Sequence, residues 1–187
     1  MTRESEDIQP TEQLKQYGEH STTIEEQTDY YDIHPTSIAD VKKQLVDKTP
    51  VFMHGSRFMA KTILSLKTGF NGMITPEGVA VKNIQVSLKI TYVMPRLVEG
   101  CCSADIVNYF DALYDKLKLH EDGHGNIGKE SIPEIIDYVM DTPAQKDFET
   151  LTTFFYQRKN FIFDKAEQRS TDYDLETNHG KTQGAYI

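Results

Sequence analysis

The chain has 187 residues, 38% hydrophobic and 26% charged, with a net charge of −9. That length supports one domain with a real core and is too short for two once flexible ends are subtracted. The two cysteines, Cys101 and Cys102, are adjacent, which excludes a disulfide framework and predicts a reducing, cytoplasmic setting. No apolar run approaches the roughly 20 residues of a membrane span, and residues 1 to 7 lack the parts of a signal peptide, so any membrane contact is expected to be peripheral.

Charge is unevenly spread. Residues 1 to 35 carry a net −7 and residues 166 to 187 a net −2, which leaves a neutral middle. Within that middle, residues 36 to 96 are +6 and residues 97 to 165 are −6. Such polarity suits head-to-tail self-association, or a basic half offered to phosphates or anionic lipid. The candidate partner-binding surface is Lys42, Lys43, Lys48, Arg57, Lys61 and Lys67.

In chain order, residues 1 to 35 have too few aliphatics to offset the entropy of ordering and are expected to be a disordered acidic arm. Within the arm, residues 29 to 33, with Tyr30 and Tyr31, are the one cluster suited to docking on a partner. Ser37 followed by Asp40 opens a short helix carrying Ile38, Val41 and Leu45. Thr49 and Pro50 predict a second helix, with Phe52, Met59, Ile63 and Leu66 on one face until Gly69; His54 is expected to be a surface or packed residue within it. The period then changes. Residues 72 to 74, a turn at 75 to 78, residues 79 to 81 and the alternation of Val86, Leu88, Ile90 and Tyr92 predict two or three antiparallel strands with one wet face. Ser103 precedes an amphipathic helix bearing Ile106, Val107, Phe110, Leu113, Tyr114 and Leu117. After a glycine-rich loop, residues 131 to 140 predict another helix, and Thr142 with Pro143 begins a further one carrying Phe148, Leu151 and Phe155. Residues 148 to 163 fit helix or strand, and the end of the chain is polar and aperiodic, as a flexible tail would be. The fold expected is α+β: a small antiparallel sheet packed on several helices over residues 36 to 165, with a disordered N-terminal arm (1 to 35) and a C-terminal tail (166 to 187).

Residues 120 to 131 resemble an EF-hand loop. Asp122, Gly125 and Ile127 stand at its third, sixth and eighth positions, but His120, His124 and Ser131 replace the first, fifth and twelfth ligands. A hard cation wants several oxygens, so a plain connection between helices is expected instead. On a helix, His120 and His124 would share one face for zinc. Gly123 between them argues against a helix, so no metal ligand is assigned here, and no HExxH motif is read in the chain. GxxxxGK[ST], GxGxxG and GxSxG are absent, and the cysteine pair is expected to be inert at a helix start. The chain is therefore expected to be no enzyme and to carry no cofactor.

The alternating strand of residues 84 to 92, the turn with Pro95, and the helix from Ser103 to Phe110, Asp111, Leu113 and Tyr114 together resemble the globular core of rhabdovirus matrix proteins. The resemblance covers residues 84 to 114. It implies a viral, matrix-like assembly protein that self-associates and bridges partners such as a nucleocapsid and a membrane, residing in host cytoplasm and virion. The alternative is a cytosolic protein-binding or regulatory module with a degenerate EF-hand-like loop.

Overall fold

A computed structural model describes residues 19–185 apart from 54, 99 and 101. A three-stranded sheet is laid over two long helices. Strand β1 (His20–Ile33) runs parallel to β5 (Gly78–Leu97), and β4 (Lys61–Thr75) pairs antiparallel with the other side of β5, giving the order β1-β5-β4. Helix α1 (Ile38–Lys48) and a two-residue hairpin of β2 (Phe52–Met53) with β3 (Ser56–Arg57) connect β1 to β4. Helices α2 (Ala104–Met140) and α3 (Phe148–Thr177) follow, and a 3-10 turn (Lys181–Gln183) closes the described chain. The α+β class is as expected; the sheet is mixed rather than antiparallel, because β1 joins it in parallel.

The alternation along β5 places Val86, Leu88, Ile90 and Tyr92 in the core, with Gln85 and Lys89 exposed on the opposite face. Strand β4 stands where a helix was expected. Leu64, Leu66 and Phe70 lie opposite Ile90, Leu88 and Ile84 and pack on the same core, whereas Ile63, which a helical face would bury, is 44% exposed. A period of two fits this segment better than 3.6 once a partner strand exists. Gly55, at φ 81°, turns the chain between β2 and β3. His54 lies outside the described residues, as does Cys101; Cys102 Sγ is 3.4 Å from the Pro35 carbonyl oxygen.

The acidic arm is ordered from residue 20 to 33, where β1 takes its hydrogen bonds from β5. Residues 1–18 lie outside the described part. Residues 29 to 33 serve the fold: Ile33 is fully buried, and the Tyr31 hydroxyl donates to the Met59 carbonyl at 2.7 Å. Helix α1 matches its expected start, with the Ser37 hydroxyl accepting from the Asp40 amide at 3.1 Å.

Helix α2 runs unbroken through the segment read as a loop. Gly125 and Gly128 lie where Tyr92 and Leu64 press against the helix, and a β-carbon on Gly128 would come within 2.9 Å of Leu64 Cδ1. These glycines serve close packing. Pro133 removes one rung of the helical ladder at an exposed position of the helix. Residues 143 to 146 do not start α3, because Gln145 is held to the hairpin by Val79 N–H to its carbonyl at 2.7 Å and by its own N–H to Val79 O at 2.8 Å. The cap falls instead on Asp147, whose carboxylate accepts from the Thr150 amide at 2.8 Å. Helix α3 settles residues 148 to 163 as helix and absorbs half of the expected tail, since Ile162 and Ala166 are buried. Burying a side chain the size of Ile162 contributes about 1.5–3 kcal/mol relative to exposure, and the Ala166 methyl contributes less.

Candidate metal centre

His120 and His124 are one helical turn apart on the face of α2 that meets α3, and both are buried. Ser170, Tyr173, Asp174 and Thr177 recur on α3 at the spacing that faces a neighbouring helix. The packing of the two helices brings Asp174 Oδ1 to 3.1 Å from His120 Nε2 and 3.2 Å from His124 Nε2, while the two Nε2 atoms are 3.4 Å apart. Around a tetrahedral zinc with bonds of 2.0–2.1 Å, ligand atoms are separated by about 3.3–3.4 Å. The triangle of donors therefore has the size zinc requires.

Hydrogen bonding at the far side of each ring supports the same conclusion. Gln183 donates from Nε2 to the Tyr173 hydroxyl at 2.8 Å, which turns its Oε1 toward His120 Nδ1 at 3.0 Å. Since Oε1 only accepts, His120 carries its proton on Nδ1. His124 Nδ1 is 2.6 Å from Ser170 Oγ, a hydroxyl that can accept the ring proton in the same way. Two Nε2 lone pairs then converge on a carboxylate oxygen, an arrangement that repels unless a cation, proton or metal, lies among them. Imidazoles held at Nδ1 by a second layer of polar groups are characteristic of metal ligands.

Tyr173 walls the cluster, stacked on His120 at 5.2 Å and 13° and edge-on to His124 at 5.1 Å. Burial works to lower the His120 pKa, but the Asp174 hydrogen bond and the charge of Glu121 raise it overall. Burial likewise works to raise Asp174, yet the two imidazoles, which donate to it from Nε2 when they carry a second proton and a positive charge, hold it well below the usual carboxylate range. Glu121, next to His120 on α2, is 5% exposed, and burial pushes its pKa up. Thr62 on β4 meets it: the threonine oxygen is 2.7 Å from Glu121 Oε2 and 3.0 Å from the Glu121 carbonyl oxygen.

Residues 120 to 124 thus spell His-Glu-Asp-Gly-His on a helix, the HExxH pattern of zinc hydrolases. The string stands in the sequence itself, so the expectation of a chain without HExxH is corrected; Gly123, Gly125 and Gly128 argue for a loop over the same residues, which hides its helical setting. Asp174, Ser170, Tyr173 and Gln183 gave no signal, being 46 or more residues from the histidine each one touches, apart from Gln183 meeting Tyr173. Among the described residues, the donor group within 4.8 Å of one another comprises His120, His124 and Asp174. Of the proposed basic surface, Lys42, Lys43 and Lys48 are exposed on α1, Arg57 donates to the Asp47 carbonyl at 3.0 Å, Lys61 is half-buried, and Lys67 is on the exposed face of β4. None of the six joins the cluster.

The fold and site define an α+β protein with a buried cluster of two histidines and a carboxylate between two helices. The chain belongs to the family described as bacterial protein of unknown function (DUF922), which matches residues 28–180 and so spans all three donors. No curated protein and no solved structure matches it. Membership in a bacterial family overturns the rhabdovirus matrix resemblance and the viral assembly role drawn from it. The alternative of an EF-hand-like loop falls with the continuity of α2. No helix among the described residues is long and apolar enough to cross a membrane.

Proposed function

We propose that this protein is a zinc-dependent hydrolase that cleaves amide bonds in peptides. The observation that carries the reading is the triangle of His120, His124 and Asp174 at zinc dimensions, with Glu121 beside it in the HExxH register. This reading replaces the expectation of a non-enzymatic protein without a metal site. Three protein donors leave a fourth position for water or substrate, the arrangement of catalytic rather than structural zinc. Zinc bound there would polarise a carbonyl and make water acidic enough to react near neutral pH.

The chain's own groups supply the proton traffic. In hydrolysis the water oxygen bonds to the carbonyl carbon, the C–N bond breaks, and a water proton passes through Glu121 to the leaving nitrogen. Thr62 suits both protonation states of Glu121. Its hydroxyl donates to the carboxylate; when Glu121 is protonated, the acid donates to Thr62 Oγ1 and the threonine proton turns to the Glu121 carbonyl oxygen. Burial pushes the Glu121 pKa up in the metal-free protein, and the step needs a carboxyl that can both take and return a proton.

The test is zinc content by elemental analysis after dialysis against a zinc buffer, followed by assay on fluorescein-labelled casein. One zinc per chain and cleavage that disappears in E121Q are expected. Less than a tenth of a zinc per chain would sink the proposal, and so would equal cleavage by E121Q.

A further inference from the structure

Beyond α3 the backbone takes an uncommon course. Asn178, His179 and Gly180 have φ of 49°, 51° and 80°, three consecutive residues in the left-handed region. A histidine tolerates this conformation better than a β-branched residue, yet it remains rare outside glycine, and such residues concentrate at functional sites. The turn is held at its base: the His179 amide donates to the Asp174 carbonyl at 2.7 Å, and the Gly180 amide donates to Thr177 Oγ1 at 3.2 Å. The imidazole is thereby delivered to the rim of the donor cluster, with Nδ1 3.6 Å from Asp174 Oδ1 and the ring against Phe58 at 5.7 Å.

His179 differs from the other two histidines in every respect that matters for ligation. Its side chain is 52% exposed, against 8% for His120 and 11% for His124. It falls outside the compact donor group. At 3.6 Å, Nδ1 is within ion-pair range of Asp174 Oδ1 but beyond a hydrogen bond, so the half-exposed ring can present an N–H to a substrate. A half-exposed donor on a braced turn, beside the ligands but not among them, is placed to meet a substrate rather than a metal.

We propose that His179 is a catalytic residue that hydrogen-bonds the carbonyl oxygen of the scissile amide as that oxygen becomes negative. The proposal rests on the hydrolase reading above. As water adds to the carbonyl carbon and gives its proton to Glu121, the C=O π pair moves onto oxygen, and His179 N–H donates to it. When the C–N bond breaks, the pair returns to re-form C=O and Glu121 protonates the nitrogen. A fixed donor aimed at charge that develops only in the transition state raises kcat and leaves KM little changed.

The experiment compares the zinc-loaded full chain with H179A, H179N and H179Q. Asparagine tolerates the left-handed turn but lacks the reach of Nε2, whereas glutamine places an amide donor near it. Each is measured for zinc affinity, casein cleavage, and binding of a peptide phosphonate whose tetrahedral phosphorus and P–O⁻ stand in for the tetrahedral carbon and its negatively charged oxygen. Expected are unchanged zinc affinity, kcat down about 10²–10³-fold in H179A and H179N with KM within about threefold, phosphonate binding weakened in parallel, and partial recovery of both in H179Q. Zinc affinity falling tenfold or more in H179A would give His179 a part in holding the metal, as ligand or support, and overturn the proposal. Unchanged kcat and phosphonate binding, or a zinc-loaded wild type that neither cleaves nor binds the phosphonate, would overturn it as well. A wild-type chain that takes up no zinc would fail the hydrolase reading itself, and is recognised before any variant is compared.

Discussion

Gly123 and Tyr173 meet across the α2–α3 interface so closely that a β-carbon on the glycine would overlap the tyrosine ring. That ring also lies against both imidazoles, so the glycine in the middle of the HExxH segment creates the room for the wall of the site. G123A is expected to destabilise the protein by about 1–3 kcal/mol through overpacking, exceeding the helix-propensity gain of about 1 kcal/mol. Denaturant unfolding of wild type and variant measures the difference, and a variant more stable than wild type would contradict the packing account.

Removing a donor and removing a supporting group have different expected sizes. D174A should weaken zinc binding by more than about 100-fold, whereas S170A and Q183A, which touch only the far sides of the rings, should cost about 10–100-fold. Competition with a chromogenic chelator reads all three, and equal affinities in D174A and wild type would remove Asp174 from the ligand set.

Thr62 is the hydrogen-bonding side chain that holds Glu121 from the sheet side, and its bond works against the upward push of burial on the Glu121 pKa. T62V should therefore raise that pKa further and cost about 1–3 kcal/mol for the unsatisfied buried carboxyl. The pH profile of cleavage should shift its acid limb upward, and an unmoved limb with unchanged stability would count against this role.

In the chelated protein the cluster carries its own pH signature. His120 is raised in the fold, so its contribution is complete below its ordinary 6.5 and is lost as pH climbs through the folded value. Glu121, also raised, acts in the same sense above its ordinary 4.5. Asp174 is lowered, so its contribution is complete above its ordinary 3.8 and is lost as pH falls through the folded value. Metal-free stability should be greatest on the mildly acid side and decline toward alkaline pH. Zinc, which needs its imidazoles unprotonated at Nε2, should restore most stability where the chelated form is weakest. Unfolding midpoints with chelator and with zinc, at about pH 5 and about pH 8.5, decide the matter; identical midpoints across that range in the chelated form would exclude it.

Phe155 on α3 is fully buried and stacks on Phe70 of β4 at 4.2 Å, tying helix to sheet on the side away from the metal cluster. F155A should cost about 3–5 kcal/mol and leave the zinc affinity of the remaining folded fraction unchanged. Loss of zinc affinity equal to that of D174A would show the two regions to be one cooperative unit.

Local physics made parts of this protein legible from the chain alone. The Ser37 cap and the spacing of Val41 and Leu45 specify α1, and the alternation from Val86 to Tyr92 specifies the inner face of β5, because each pattern concerns residues within one turn or one pleat. The HExxH string is equally local and legible in the chain, but its helical setting is not, since glycine is a poor helix former in isolation and Gly123, Gly125 and Gly128 fall within six residues. Only the folded chain shows that Gly123, Gly125 and Gly128 admit Tyr173, Tyr92 and Leu64, and that the packing so gained outweighs propensity. Residues 61 to 70 became a strand because β5 lay beside them, and residues 20 to 33 became ordered because β5 had a second edge to fill. The sequence by itself determined the α+β class, the apolar faces and the two histidines. Asp174 as third donor, the Gln183 and Ser170 supports and the placement of His179 were decided by the α2–α3 packing and the left-handed turn after it, because a ligand set drawn from residues 50 apart exists only once those helices are side by side.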